Sequence, residues 1–267
     1  MKISIIISNY NKGKYLNKCL LSCINQEFNN YEIIIVDDNS TDNSLKIINK
    51  FKKKIKLIKR KKNLKFLTPA NRQIKSLEKG FQISKGNIIC LLDSDDFFST
   101  KKLKIINKIF KEKKIQFLIN QYIGYVNQTN KIYLRKKNKN YLGDIWPNNF
   151  QTSALSFRRQ FFKDFLRLSK KKNYYYLEID ARLTIFASFY YNSLVRTTQY
   201  LSFWRLNSVQ LSTITKKFSK RWFLKRNEAF DYLKYLLKIK NKKFIPSFDY
   251  YITTMIVKLL IIYDTRF

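Results

Sequence analysis

At 267 residues, with 45% hydrophobic residues, five Gly and three Pro, the chain is long and apolar enough to bury a sizeable core, which excludes a disordered or linker-like protein. Its 54 Lys and Arg against 18 Asp and Glu give a formal charge of +36, and the lack of any His excludes a histidine triad and a zinc site of the usual kind. Its chemistry must rest on carboxylates and cations.

The short runs in the first half alternate with longer amphipathic stretches, the signature of βαβ units. Strands are predicted at 3–8, 31–36, 55–59 and 87–92, and helices at 14–25, 42–53 and 70–84, the second helix opened by the capping run Ser40-Thr41-Asp42. The expected fold is an α/β, Rossmann-like, mostly parallel sheet flanked by helices. Ligands bind such sheets at the carboxyl ends of the strands. Three polar clusters fall there, SNYNK at 8–12, VDDNSTD at 36–42 and LLDSDD at 91–96, and they are expected to converge on one crevice.

A helix follows at 99–113, then the strand IQFLIN, and YIGYV and KIYLR as a hairpin around the NQTN turn at 127–130. Residues 133–149 are basic, aromatic and irregular, and read as a mobile loop. TSALSFRRQFF from Thr152 predicts a strand turning into a helix, LEIDARLTIFASFY a helix and YLSFWR a strand. Beyond Ser208 only helices are expected. The resulting division is 1–208, with a nucleotide-binding half to about 98 and an acceptor half from 99, and a helical C-terminal extension over 209–267.

Cys19, Cys23 and Cys90 read as buried free thiols of a reducing compartment. No secretory signal and no apolar run of membrane-spanning length is apparent. The tail from Tyr251 to Tyr263, broken by Lys258, either packs on the core or lies in a membrane interface. Lysines are scattered through nearly every segment, which fits an anionic membrane surface or a phosphate-bearing substrate as well as nucleic acid, and no nucleic-acid recognition motif appears.

The group Asp93, Asp95 and Asp96 is the sharpest feature. One Asp could cap the following helix. The others would then repel each other at a strand end, so a divalent cation such as Mg²⁺ or Mn²⁺ is the more economical account. In the order SIIISNYN, helix, EIIIVDDNSTDNS, helix, GNIICLLDSDD, the sequence resembles the family 2 glycosyltransferases of GT-A fold, well over residues 3–130 and traceably to 213.

That resemblance implies sugar transfer from a nucleotide diphosphate donor, often uridine-linked, to an acceptor hydroxyl with inversion. It also implies a cytoplasmic enzyme acting on a glycan or lipid-linked glycan of cell-surface polysaccharide or lipopolysaccharide, and the basic surface and apolar tail fit a peripheral place on the inner membrane face. Asn9, Tyr10 and Asn11 match the loop lining the nucleotide pocket, and Asp38 the carboxylate that contacts the base. Asp93 and Asp95 match the paired aspartates at the ribose and at the metal and diphosphate, with Asp96 sharing the metal role. Asp180 of LEIDARL matches the general base, with Glu178 as the neighbouring alternative. Arg205 of FWRLNS matches a cation near the diphosphate.

Two positions depart from the pattern. Asn207 stands where relatives carry a His able to bind metal, and Leu77 where they carry an Arg, leaving Lys75 or Lys79 as a replacement cation. These departures keep a noncatalytic binding module on the same fold in play, while the charge and the aromatics interleaved with Lys at 133–150 and 173–176 keep a basic nucleic-acid binder that stacks bases. Arg221-Trp222 lacks the surrounding pattern of processive members and reads as a helix face.

Overall fold

A computed structural model of the protein describes residues 1–60, 67–112, 114–126, 131–134, 145, 151–170, 172–206 and 215–264. The first βαβ units form as their patterns predict: β1 (Ile3–Asn9), α1 (Gly13–Ile24), β2 (Tyr31–Asp37), α2 (Ser44–Lys50), β3 (Lys56–Lys59), α3 (Pro69–Ile83) and β4 (Ile88–Asp93). β1 and β4 are buried along nearly their whole length, which is why they read as unbroken apolar runs. Helix α3 starts with Pro69 in its first turn and Thr68 as cap, whose hydroxyl accepts the Asn71 amide at 3.3 Å.

The second half adds β5 (Phe97–Phe98), α4 (Lys102–Glu112), β6 (Phe117–Val126), β7 (Lys131–Leu134), β8 (Leu155–Arg158), α5 (Arg159–Ser169), α6 (Ile179–Ile185) and β9 (Val195–Arg205). α6 continues as a π-helical turn over Phe186–Tyr190. The two runs expected as separate strands after α4 are one, β6, and the expected hairpin is its antiparallel pairing with β7, although the NQTN turn lies outside the described residues. β9 starts five residues earlier than YLSFWR, because Val195 and Arg196 pair with Leu118 and Ile119. Nearly all of the loop expected at 133–149 also lies outside the described residues.

One sheet joins both halves in the order β3-β2-β1-β4-β8-β6-β9-β5, with β7 beside β6. Its first four strands are parallel; β8 enters antiparallel between β4 and β6, while β6 and β9 run parallel. One face is filled by α1, α2 and α4 residues such as Leu16, Ile48 and Ile106, and contains all three cysteines as buried free thiols. The other face is covered by α3, α5 and α6 and by α7 (Lys220–Ile239), whose Phe230, Tyr232, Leu233 and Leu236 share one cluster with Ile6 and Phe157. The last helix is α8 (Phe248–Asp264).

Candidate active site

The crevice forms where β1, β2 and β4 end side by side, with Asn9 opposite Asp37 and Ser8 opposite Asp93. The loops beyond are knit together by short polar side chains. Asn9 donates to Asp37 Oδ1 at 2.7 Å, and the Asn11 side-chain carbonyl accepts the Thr41 amide at 2.8 Å. Asn11 and Asn39 take φ of 50° and 60°, a left-handed backbone that Asn tolerates. Gly13 has no room for a side chain, since a Cβ there would meet Asn43 Oδ1 at 1.8 Å. Asp42 accepts the amides of Gly13 at 2.8 Å and Ser44 at 2.9 Å, so the expected capping run ties α1 to α2.

Of the two aspartates that end β2, Asp37 is spent on the loop and Asp38 turns to the pocket. Arg60 Nη1 and Arg72 Nε each approach Asp38 at 2.7 Å, and the Arg72 guanidinium lies 4.1 Å from the centre of the half-exposed Tyr10 ring. Arg60 is also held by Ser76 and the Arg72 carbonyl. Among the described residues Arg72 Nη2 and Asn9 Oδ1 are buried without a hydrogen-bond partner, and Asp38 Oδ1 is met by Arg60 only as an ion pair outside hydrogen-bond geometry. Buried polar atoms are rarely left so.

In the loop after β4 each carboxylate has a different neighbour. Asp93 accepts from Gln73 Nε2 at 2.7 Å, and Lys12 Nζ lies 2.7 Å from Asp95 Oδ2. Asp96 is buried with both oxygens used inside the protein, Oδ1 by the Arg205 amide and Oδ2 by the Ser153 hydroxyl. Arg205, 1% exposed, donates from Nε to the Asp95 carbonyl and packs against Tyr15 and Phe97. Behind it the buried Lys102 donates to the Ser153 carbonyl at 2.7 Å and Ser202 Oγ at 2.9 Å, and burial lowers its pKa to about 8. Asp93 is raised to about 7 by burial first, then by the Asp95 and Asp180 charges. Burial and then the charges of Asp95 and Asp93 raise Asp96 as well.

Asp180 sits in the first turn of α6, near enough to raise Asp93. Its own pKa is pushed up to about 6, by burial and then by Glu178, with Lys225 opposing. Glu178 makes no capping hydrogen bond and instead pairs with Lys225 of α7 at 2.5 Å. The approach to α6 is fixed from two sides. Glu228 of α7 accepts the amides of Tyr175, Tyr176 and Leu177 at 2.7, 2.8 and 2.8 Å. Arg182 bonds the carbonyls of Leu177 and Tyr174 and reaches Asn71 of α3 at 3.1 Å.

The three polar clusters thus converge on one crevice. Lys12 belongs to the first of them; the surrounding residues that were not anticipated are Arg60, Arg72, Gln73, Ser153 and Glu228. Lys75 and Lys79 are exposed on α3 away from the site, Lys75 pairs with Glu78, and Leu77 is core, so among the described residues the cations beside the aspartates of the crevice are Arg60, Arg72 and Lys12. Asn207 lies outside the described residues. No group of three Asp, Glu, Cys or His side chains among the described residues is disposed to hold a metal alone. With Asp96 engaged inside the protein, Asp95, which is paired with Lys12, is the carboxylate of this loop that would meet a hard divalent ion such as Mg²⁺, and further oxygen ligands would have to come from a bound diphosphate.

The profile of "Glycosyl transferase family 2" matches residues 4–168. A poly(ribitol-phosphate) beta-glucosyltransferase of Bacillus spizizenii is 42% identical over 109 residues, 39% of this chain and 16% of the relative. Among solved structures, residues 1–349 of S. aureus TarS in complex with UDP-GlcNAc superpose with a TM-score of 0.65 at 19% identity, over 96% of this chain and 70% of that one. The mannosyltransferase PcManGT from Pyrobaculum calidifontis, in complex with GDP-Man and Mn²⁺, gives 0.56 at 12% identity, over 92% and 66%. These structural likenesses carry the GT-A fold. The chain spans less than half the length of the first curated relatives it matches. On the profile match, which covers more than half of the sequence, the chain belongs to glycosyl transferase family 2.

Proposed function

We propose that the protein transfers a sugar from a nucleoside diphosphate donor, with uridine as the base, to a hydroxyl of a glycan or lipid-linked glycan, with inversion at the anomeric carbon. The observation that carries the reading is the Asp38 carboxylate set beside Arg72 Nη2, a buried donor with no hydrogen-bond partner, next to the half-exposed Tyr10 ring. The imide edge of uracil offers an N–H donor next to a carbonyl acceptor, which complements that acceptor and donor, and its ring can stack on Tyr10.

From there the diphosphate would run over β1 towards Lys12 and Asp95. A Mn²⁺ or Mg²⁺ ion at Asp95 would supply positive charge for the leaving diphosphate. Asp96, Ser153 and Arg205 act one layer back, holding the loop that presents Asp93 and Asp95. On the acceptor side Asp180 takes the proton of the attacking hydroxyl, and a carboxylate raised to about 6 is better matched to that task than an unperturbed one. Cell-surface polysaccharide or lipopolysaccharide synthesis on the cytoplasmic side is the proposed setting.

Calorimetric titration with uridine diphosphate and a coupled assay for its release test this. Asp38→Ala and Arg72→Ala are each expected to weaken nucleotide binding about tenfold or more, the loss of one charge-assisted hydrogen bond. Asp180→Asn should bind the nucleotide normally and transfer nothing. A folded wild-type protein that binds no uridine diphosphate, with or without Mn²⁺, would overturn the proposal.

A further inference from the structure

Helix α8 is unusual in what it turns to solvent. Its inner side is docked on α7: Tyr250 meets Phe230 edge-on, Asp249 pairs with Arg226, and Thr253 and Val257 are buried. The opposite side should be polar in a helix that ends at water. Instead Phe248 is 81% exposed, Met255 58% and Leu259 49%, with Tyr251, Ile252 and Ile262 along the same stripe. Spacings of three and four residues put all of these on one face. Ile245, 82% exposed, extends the stripe into the connection from α7.

Cations cluster along the connection that leads into this face. Lys238, Lys240, Lys242 and Lys243 are exposed around the end of α7 and the start of the connection, and Lys258 is exposed on the stripe itself. Across residues 215–264 twelve Lys and Arg face four Asp and Glu, two of which, Asp249 and Glu228, are already engaged. No helix of the described residues is long and apolar enough to cross a membrane. At about 1.5 Å per residue, seventeen residues fall short of a ~30 Å hydrocarbon core, and the packing on α7 leaves only one side free.

We propose that α8 is a membrane-docking helix, which lays its outer apolar face in the interfacial layer of an anionic lipid surface while the surrounding lysines meet lipid phosphates. Charge complementarity selects this occupant. A second copy of the chain would bring two lysine clusters against each other across the same face, whereas an anionic bilayer offers both an apolar layer and the opposite charge. The docking face shares no residue with the donor site, so its failure and that of the transfer reaction are separable.

The test is co-sedimentation of the full chain with vesicles of phosphatidylcholine alone and of phosphatidylcholine mixed with phosphatidylglycerol. Binding is expected on the mixed vesicles and not on phosphatidylcholine alone. Met255→Ser/Leu259→Ser should lower it about tenfold or more, through lost apolar burial. Lys242→Glu/Lys243→Glu should lower it to the level that high salt produces. Unaltered binding of uridine diphosphate by each variant shows that it is folded. No binding by the wild type, equal binding to both vesicles, or full binding by the Met255/Leu259 variant overturns the proposal. So does a dimer, seen by light scattering, that the same variant dissolves, because a second copy would then cover the face.

Discussion

Asp180 and Lys225 show how one charge sets another's working range. As a base Asp180 must be ionised, so transfer should rise with pH through about 6 and level off above it. Lys225 lowers that value from α7, and Lys225→Met should move the acid limb of the kcat/KM profile upward. An unmoved limb would take Asp180 out of the role. Asp93 carries the opposite consequence for stability. Its folded pKa of about 7 lies above the ordinary 3.8, so the folded chain holds a proton that the unfolded chain has lost. Stability is therefore expected to fall as pH rises from about 4 to about 7. Asp93→Asn keeps an oxygen for Gln73 and removes the repulsion. It should flatten that slope and raise Tm at neutral pH, by about 2–4 °C for each kcal/mol relieved, while abolishing transfer. Melting curves of both proteins on either side of this interval are the check.

At the scale of elements the site depends on two helices more than on its loops. The first turn of α3 spends three successive residues on three parts of the crevice: Asn71 on Arg182, Arg72 on Asp38 and Gln73 on Asp93. From the other side α7 holds the bent approach to Asp180 through the three amides bound by Glu228. Glu228→Gln keeps the shape and removes the charge and one acceptor. It should lower kcat about 10- to 100-fold, because a base displaced by a fraction of an ångström loses its geometry, and leave the affinity for uridine diphosphate unchanged. Faster amide exchange at 175–177 should accompany it. Equal losses in kcat and in nucleotide affinity would mean that Glu228 supports the fold as a whole. The positions of Asp38, Asp93, Asp95 and Asp180 could be read from sequence because strand ends and helix starts are local signals. Their partners could not, since Gln73 and Glu228 look like any polar residue of an amphipathic helix, and only the tertiary fold decides which carboxylate or amide each one meets. Lys75 and Lys79 failed as stand-ins for the same reason: they share a face of α3 with Arg72, but they lie one and two turns further from the helix start that meets the crevice.

Over the whole molecule, one sheet joins the first βαβ units to the strands that follow them, and the chain beyond residue 215 is tied into the same core. Phe230, Tyr232, Leu233 and Leu236 of α7 are buried in the cluster that contains Ile6 and Phe157. At about 2 kcal/mol for each buried side chain, these four contribute roughly 8 kcal/mol, comparable with the total stability of an ordinary domain. α8 makes a different kind of contribution, with one side on α7 and large apolar side chains facing out. The two helices should therefore behave differently when removed. A chain ending after residue 244 loses α8 only, and is expected to unfold cooperatively at a reduced Tm and to bind uridine diphosphate. A chain ending at 214 loses α7 as well, with the Glu228 and Lys225 contacts and a side of the core, and should show no cooperative transition by circular dichroism. If the shorter fragment melts cooperatively and binds nucleotide, the C-terminal helices form a unit of their own, and the role given to α7 in holding Asp180 must be abandoned.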